Sequence, residues 1–506
     1  MAKAVRAGFS AVVVGMALAS AAAVAHAETL ADAIALAYQS NPTLQAQRAQ
    51  LRFQDEQYVQ ARAGYRPTVS ASSQAIYEAR RCNPPSQFSQ ACQTAKSEAN
   101  QVSATVTVTQ PIYTSGAATA AVNQAEADIL TQRENLRAVE NQVLLDTVTA
   151  YVDVRRDQQA LAIREENLNV LKRQVEETRA RFDVGEVTKT DVAQAEAELA
   201  QAQAAFSVGQ AQLAVSRAEY ANVVGQSPGD LAPEPELPLL PKTIDQAFDT
   251  AEVNAPAIRA ADYSVQSAEF QVAAAKAAKG PTVSLQGVFN DSTGIYPWNP
   301  SNFSRRFDIA INVTQPIFVG GVRESQIRQA VERENFFRIQ GQGARRTMVQ
   351  NISQAWNRLL AGRAGIAANL EQVRAARVAY EGAREEEKAG LRTTFEVLQQ
   401  EQILRDAELS LNTSRHDAYV ATATVLQVAG LLEARLMVPD IPVQPGGHDF
   451  HRLKNATGYV PWEEGVKALD STFSKPVREA PLPLDAPIDR PISTALPAEA
   501  APSGGK

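Results

Sequence analysis

The sequence predicts a mixed α/β membrane protein. Each chain gives four strands to a β-barrel, and a long α-helical coiled coil continues it. Three observations predict this. Between Gly116 and Gly185 the 506-residue chain runs for 68 residues without glycine or proline. These residues are good helix formers with nothing to break them, and as one helix they would be about 100 Å long. Two pairs of segments alternate apolar and polar side chains, and the whole arrangement occurs twice.

Residues 1–27 read as a cleavable signal peptide: Lys3 and Arg6, an apolar run from Phe9 to Val24, then Ala25-His26-Ala27. No cysteine follows that site, so a lipid anchor on a new N-terminal cysteine is not expected. Further on, no apolar stretch approaches the ~20 residues of a membrane helix. The mature chain therefore either stays soluble outside the cytoplasm or crosses a membrane as strands. A net charge of -7 gives no reason to expect nucleic acid as a partner.

The first repeat covers 28–227. Thr29 to Gln39 and Thr43 to Ala63 read as amphipathic helices, separated by Asn41-Pro42 and stopped by Gly64 and Pro67. A β-hairpin is expected over 68–110, where Val102, Ala104, Val106 and Val108 alternate with Ser103, Thr105 and Thr107. Long helices follow over 117–184 and 189–224, turning at Gly185. Leu161, Leu168, Val175 and Phe182 recur every seven residues, as do Val192, Leu199, Phe206, Leu213 and Tyr220, so both want coiled-coil partners. Ala195, Ala202 and Gly209 would let those helices approach closely.

A proline-rich linker, 228–242, leads to a second repeat over 243–437, with a hairpin at 282–315 and long helices at 321–388 and 393–432 that turn at Gly390. Pro67-Thr68-Val69-Ser70 matches Pro281-Thr282-Val283-Ser284 at a spacing of 214, while Gln110-Pro111-Ile112-Tyr113 matches Gln315-Pro316-Ile317-Phe318 at 205. The nine-residue difference falls in the first hairpin loop, which carries Cys82 and Cys92. In an oxidising compartment that pair is expected to form a loop-closing disulfide. Pro111 and Pro316 are expected to mark the strand-to-helix transitions, since proline ends a ladder and suits a helix start.

Alternation alone suits a soluble sandwich as well as a membrane barrel with a wet lumen. Hairpins tied to such rods cannot build a sandwich core, and Tyr296, Trp298 and Phe303 against Tyr113 and Phe318 fall where interfacial aromatics belong. Four strands cannot close a barrel, and open edges in lipid are forbidden. Several copies must share one barrel, and three would supply twelve strands. Residues 438–506 read as a proline-rich tail, partly disordered. His448 and His451 there are better read as solvated than as a metal pair, and His416 as solvated helix surface.

Tyr65-Arg66-Pro67-Thr68, the two Gln-Pro-Ile-Tyr/Phe segments, Phe182 to Val192 and Ala389 to Leu398 resemble the TolC-like outer-membrane efflux and secretion proteins, over residues 28 to about 437. The resemblance implies a homotrimer in outer-membrane lipid: a twelve-stranded barrel above a periplasmic tunnel of twelve helices. It further implies docking to a periplasmic adaptor and an inner-membrane ABC or proton-driven transporter, and export of proteins or small toxic compounds. It implies an entrance gate in which Arg392 bonds to Thr190-Asp191, with Glu396 alone charged in a ring where Gln399 is neutral, and Glu387 standing where the family has a tyrosine. No catalytic constellation, phosphate loop or metal-ligand spacing appears, so neither an enzyme nor a cofactor is expected. The alternative is a periplasmic coiled-coil adaptor or scaffold without a pore.

Overall fold

The computed structural model describes residues 27–81, 96–294, 303–438, 458, 460–472 and 490. Residues 1–26, Cys82 and Cys92, Tyr296 and Trp298, and His448 and His451 lie outside the described residues.

The first repeat holds α1 (Leu30–Ser40), α2 (Pro42–Arg62), β1 (Thr68–Arg81), β2 (Lys96–Tyr113), α3 (Ala117–Asp183) and α4 (Lys189–Val224). The second holds α5 (Ile244–Asn254), α6 (Pro256–Ala277), β3 (Thr282–Gly294), β4 (Ser304–Thr314), α7 (Val322–Lys388) and α8 (Thr394–Val428). A short α9 (Ala434–Met437) and α10 (Glu463–Ser471) complete the described elements. No described helix is long and apolar enough to cross a membrane.

Helices α3 and α4 form one antiparallel hairpin, α7 and α8 another, and α3 packs on α8 to join them. The burial follows the heptad reading only in part: Leu168, Leu171 and Val175 are buried, as are Ala195, Ala202 and Leu213, but Phe182 next to the turn is exposed. The short helices build two related cores against the middle of α3 and of α7. One gathers Leu30, Ile34, Leu44 and Leu51 on Leu144, Val148 and Tyr151. The other gathers Ile244, Phe248 and Ile258 on Ile352, Trp356 and Leu359.

Helix α8 stops at Val428, short of the expected 432. Gly430 takes a left-handed φ of 72°, and a Cβ there would meet the Asn254 carbonyl oxygen at 2.5 Å. The chain must turn where α8 abuts the start of α6, and only glycine fits. The repeat makes the same joint at the end of α4, where Asn41 donates from Nδ2 to the Val223 carbonyl at 3.0 Å while its Oδ1 caps α2.

The four strands form one antiparallel sheet in sequence order. Pairing puts Ala71, Val106, Phe289 and Phe307 in one row across it, and Val69, Val108, Gly287 and Ile309 in the next. The rows that alternate with them read Ser72, Thr105, Asn290 and Arg306, then Ser70, Thr107, Val288 and Asp308. One face is thus a band of apolar side chains exposed to the surroundings, with Phe307, Ile309, Ile311 and Val313 each 66–67% open. The other is polar and cross-linked, as where Asn290 Nδ2 donates to Thr105 Oγ1 at 2.8 Å.

Two boundaries depart from expectation. Strand β2 runs through Pro111 to Tyr113 instead of ending before the proline. A register shift between Pro111 and Tyr113 absorbs the missing donor, and a bulge is one of the few places a sheet accepts proline. Pro316 does lie past its strand, between β4 and α7. The described part of the tail includes a helix. Helix α10 docks where β2 becomes α3, Glu463 pairs with Arg62 and Arg66, and Val466 joins the first core.

Candidate functional site

The site begins with how each rod turns back. Helix α3 ends at Asp183 and α7 at Lys388, and Gly185 and Gly390 supply left-handed φ values of 81° and 73°. Their neighbours close the ends in the same way. The Glu186 and Leu391 N–H groups donate to the Arg181 and Glu386 carbonyls, both at 2.9 Å, satisfying carbonyls that a helix end leaves orphaned.

Each returning helix starts with a capping box. Thr188 and Asp191 cap α4, the Thr188 N–H donating to Asp191 Oδ2 at 2.7 Å. Thr393 and Glu396 cap α8, the Thr393 N–H donating to Glu396 Oε2 at 3.0 Å. That backbone bond holds the Glu396 carboxyl below its ordinary range, so it stays ionised. Both boxes follow the Thr-x-x-acid pattern, and the sequence reading passed over it in assigning these acids to a gate.

The expected gate residues are all at this tip, but one chain does not join them as expected. Arg392 pairs with Glu386, and Asp191 is engaged by Thr188. No Arg392 bond to Thr190 or Asp191 occurs among the described residues of one chain. Thr190 and Gln399 are exposed. Glu387 is the residue that ties the tip together. It is buried, accepts from Arg181 Nη1 at 3.2 Å and from Thr394 Oγ1 at 2.9 Å, and so links α3, α7 and α8.

Above this link the α3–α8 seam carries Leu168 and Leu171 on Leu398, then a cavity of about 200 Å³ lined by Arg164, Glu198, Glu401 and Arg405. Glu401 is only 3% exposed, its Oε1 has no hydrogen-bond partner, and Arg405 Nη2 is 4.0 Å away. Burial pushes its carboxyl up to about 7, against the lowering pull of Arg405, Arg384 and Arg173. Higher still, His416 corrects the solvated reading: its Nε2 lies 2.9 Å from Asp153 Oδ1 on α3 and its Nδ1 2.9 Å from Asp417 Oδ1.

A pKa raised in the fold means that Glu401 opposes the packed seam once it ionises. The penalty is absent below the carboxyl's ordinary range near pH 4.5 and grows until pH passes about 7. Glu401→Gln is therefore expected to raise stability by ~2 kcal/mol at pH 8 and by little at pH 5, read by thermal unfolding at both pH values. Equal gains at the two would show that charge is not the cause.

Comparison with known proteins gives a consistent result. The family described as "Outer membrane efflux protein" matches residues 33–226 and 247–431. The chain is 34% identical to the outer membrane efflux protein BepC of Brucella suis over 407 residues, 80% of this chain and 86% of that protein. It is 24% identical to the outer membrane protein TolC of Escherichia coli, over 83% of this chain and 86% of TolC. Among solved structures, the Campylobacter jejuni CmeC outer membrane channel superposes with a TM-score of 0.71 at 16% identity, over 88% of this chain and 90% of CmeC. Vibrio cholerae VceC gives 0.66 at 22%, over 79% and 96%.

Proposed function

The chain belongs to the outer membrane efflux protein family, and from that premise we propose that three copies close a twelve-stranded barrel above a tunnel of twelve helices, the exit duct of a tripartite export system. The family consists of transport conduits, not enzymes, and its place is the Gram-negative outer membrane, reaching into the periplasm. The observation that carries the assembly is the sheet: one apolar face, one polar face and two unpaired edges. The apolar band faces lipid and the polar face a wet lumen. An even number of strands per chain makes each junction between copies antiparallel.

In this reading the helical tip is the periplasmic entrance, facing an adaptor and an inner-membrane transporter. The Arg181–Glu387–Thr394 link holds each chain's tip, and Arg392 reaches Thr190-Asp191 of a neighbouring chain. Glu396 gives the mouth a ring of three charges. Of the two cargoes, small toxic compounds are favoured over secreted proteins, because identity is higher to BepC, named for efflux, than to the alkaline protease secretion protein AprF of Pseudomonas aeruginosa, at 23%.

Deletion of the gene is expected to sensitise cells to dyes and detergents, and the purified protein to run as a heat-resistant trimer that conducts in planar bilayers. Loss of an exported protein without drug sensitivity would make the cargo a polypeptide. Extraction without detergent and no conductance would refute the duct.

A further inference from the structure

We propose that α10 is a membrane-interface anchor. Its flank bearing Trp462 and Leu469 lies at the boundary of headgroups and acyl chains in the phospholipid leaflet that faces the periplasm, which rests on the lipid-facing sheet inferred above.

One polar residue stands out of place on the apolar face. On the rod side of the row Val69, Val108, Gly287 and Ile309, that face continues with Gln110, Leu285 and Ile311, then with Tyr113, Val283 and Val313. Gln110 is thus an amide with apolar rows on both sides, and an unanswered amide facing hydrocarbon is costly. Here the amide is answered at both ends. Its Nε2 donates to the Tyr65 carbonyl at 2.9 Å and to the Pro111 carbonyl at 2.6 Å, and its Oε1 accepts from Trp462 Nε1 at 2.9 Å. The last bond brings the indole onto the outward face of the sheet, one row inside the rod-side margin of the band. The indole N–H is spent on the protein, yet Trp462 stays 51% exposed. A ring in that position meets whatever the band meets.

Helix α10 itself is built for such a place. Glu463, Val466 and Asp470 face the protein, where the two acids engage Arg62, Arg66 and the start of α3. At about 100° per residue, Trp462 and Leu469 fall together on one flank of that buried stripe and Lys467 on the other. Leu469 is 56% exposed. Acids point inward and the largest apolar side chains outward, the reverse of a helix packed on an apolar core in water. An apolar flank opposed to a charged one suits a helix lying along a membrane surface, and tryptophan is enriched at that depth. The counterpart joint is apolar at the same level. There Gln315 makes the same two backbone bonds, to Lys279 and Pro316, with Ile317 and Phe318 exposed beside it. Because Asp470 ties α10 to Thr114 and Gly116, between strand and rod, the anchor would hold the sheet at one depth.

Fluorescence quenching by brominated lipid tests this. The mature protein carrying Trp298→Phe is placed in phosphatidylcholine vesicles brominated at acyl carbons near the headgroup. Trp356, buried in the second core, supplies a constant background. The emission lost on Trp462→Phe is that of Trp462, and bromine is expected to quench most of it. In the Trp462→Phe background, Leu469→Trp is expected to be quenched and Lys467→Trp to be spared. Phe307→Trp, in the band itself, reports the sheet. Quenched Phe307→Trp with unquenched Trp462 and Leu469→Trp would overturn the anchor and leave the lipid-facing sheet intact. Equal quenching of Lys467→Trp and Leu469→Trp would overturn the flank assignment. Loss of quenching at Phe307→Trp as well would remove the lipid-facing sheet, and the anchor with it.

Discussion

Asp470→Ala is expected to destabilise the protein by about 3 kcal/mol, the largest single-residue loss anticipated outside the apolar cores. Helix α3 begins at a glycine and has no side-chain cap of its own. Asp470, 1% exposed on α10, does that work from more than 350 residues away in sequence. Its Oδ1 accepts from the Thr114 N–H at 2.8 Å and the Gly116 N–H at 3.0 Å, and its Oδ2 from the Thr119 N–H at 3.1 Å and hydroxyl at 2.9 Å. A carboxylate at a helix N-terminus also meets the favourable end of the macrodipole. Alanine would leave buried donors unanswered and release α10, and with it the Glu463 clamp on Arg62 and Arg66.

The effect has a pH signature. Burial alone would raise the Asp470 pKa, but the bonds from Gly116, Thr114 and Thr119 outweigh it and the carboxyl lies below its ordinary 3.8. A depressed folded pKa means that the stabilisation is complete above about pH 4 and is lost as pH falls through the lower value. Thermal unfolding should show the wild type losing its advantage over Asp470→Ala only in that acid range, with Asp470→Asn in between at neutral pH. If the alanine variant melts with the wild type at pH 7, α10 is an ornament on the joint.

The rods, the hairpins and the repeat were legible because each is a periodic signal: 3.6 or seven residues for the helices, two for the strands, 205 or 214 for the copies. The turns at Gly185 and Gly390 were legible because a left-handed residue at a helix end calls for glycine. What escaped has a common cause, which is pairing over long sequence distances. Proline content hid α10, because nothing near Asp470 in sequence says that it caps α3. Glu401 lies four residues after Val397 in the α8 heptad, a flanking position in a two-helix coiled coil. It is buried here because α3 packs on α8 as a third helix. His416 escaped for the same reason, its Asp153 partner lying on that helix. The acids Asp191 and Glu396 carried a local capping signature that a gate reading overshadowed.

Glu387→Ala is expected to raise single-channel conductance several-fold, because it cuts the tie between the two hairpins at the entrance. Glu387 takes bonds from Arg181 on α3 and Thr394 on α8, and it is 8% exposed. Removing a buried acceptor of a charged donor costs ~1–3 kcal/mol per chain. In the proposed trimer three chains act on one aperture and multiply the effect, where each ~1.4 kcal/mol is tenfold in an equilibrium. Arg181→Ala should act in the same direction but less, since Arg181 is a third exposed and also has Glu186 at 3.4 Å. The two substitutions break one bond, so the double variant should exceed Glu387→Ala only slightly. Arg392→Ser or Asp191→Ala should also open the tip if the contact between chains forms. Recordings in planar bilayers decide between the two latches. Wild-type conductance in Glu387→Ala together with an open Arg392→Ser would place the closure between chains and leave the Arg181–Glu387 pair as packing.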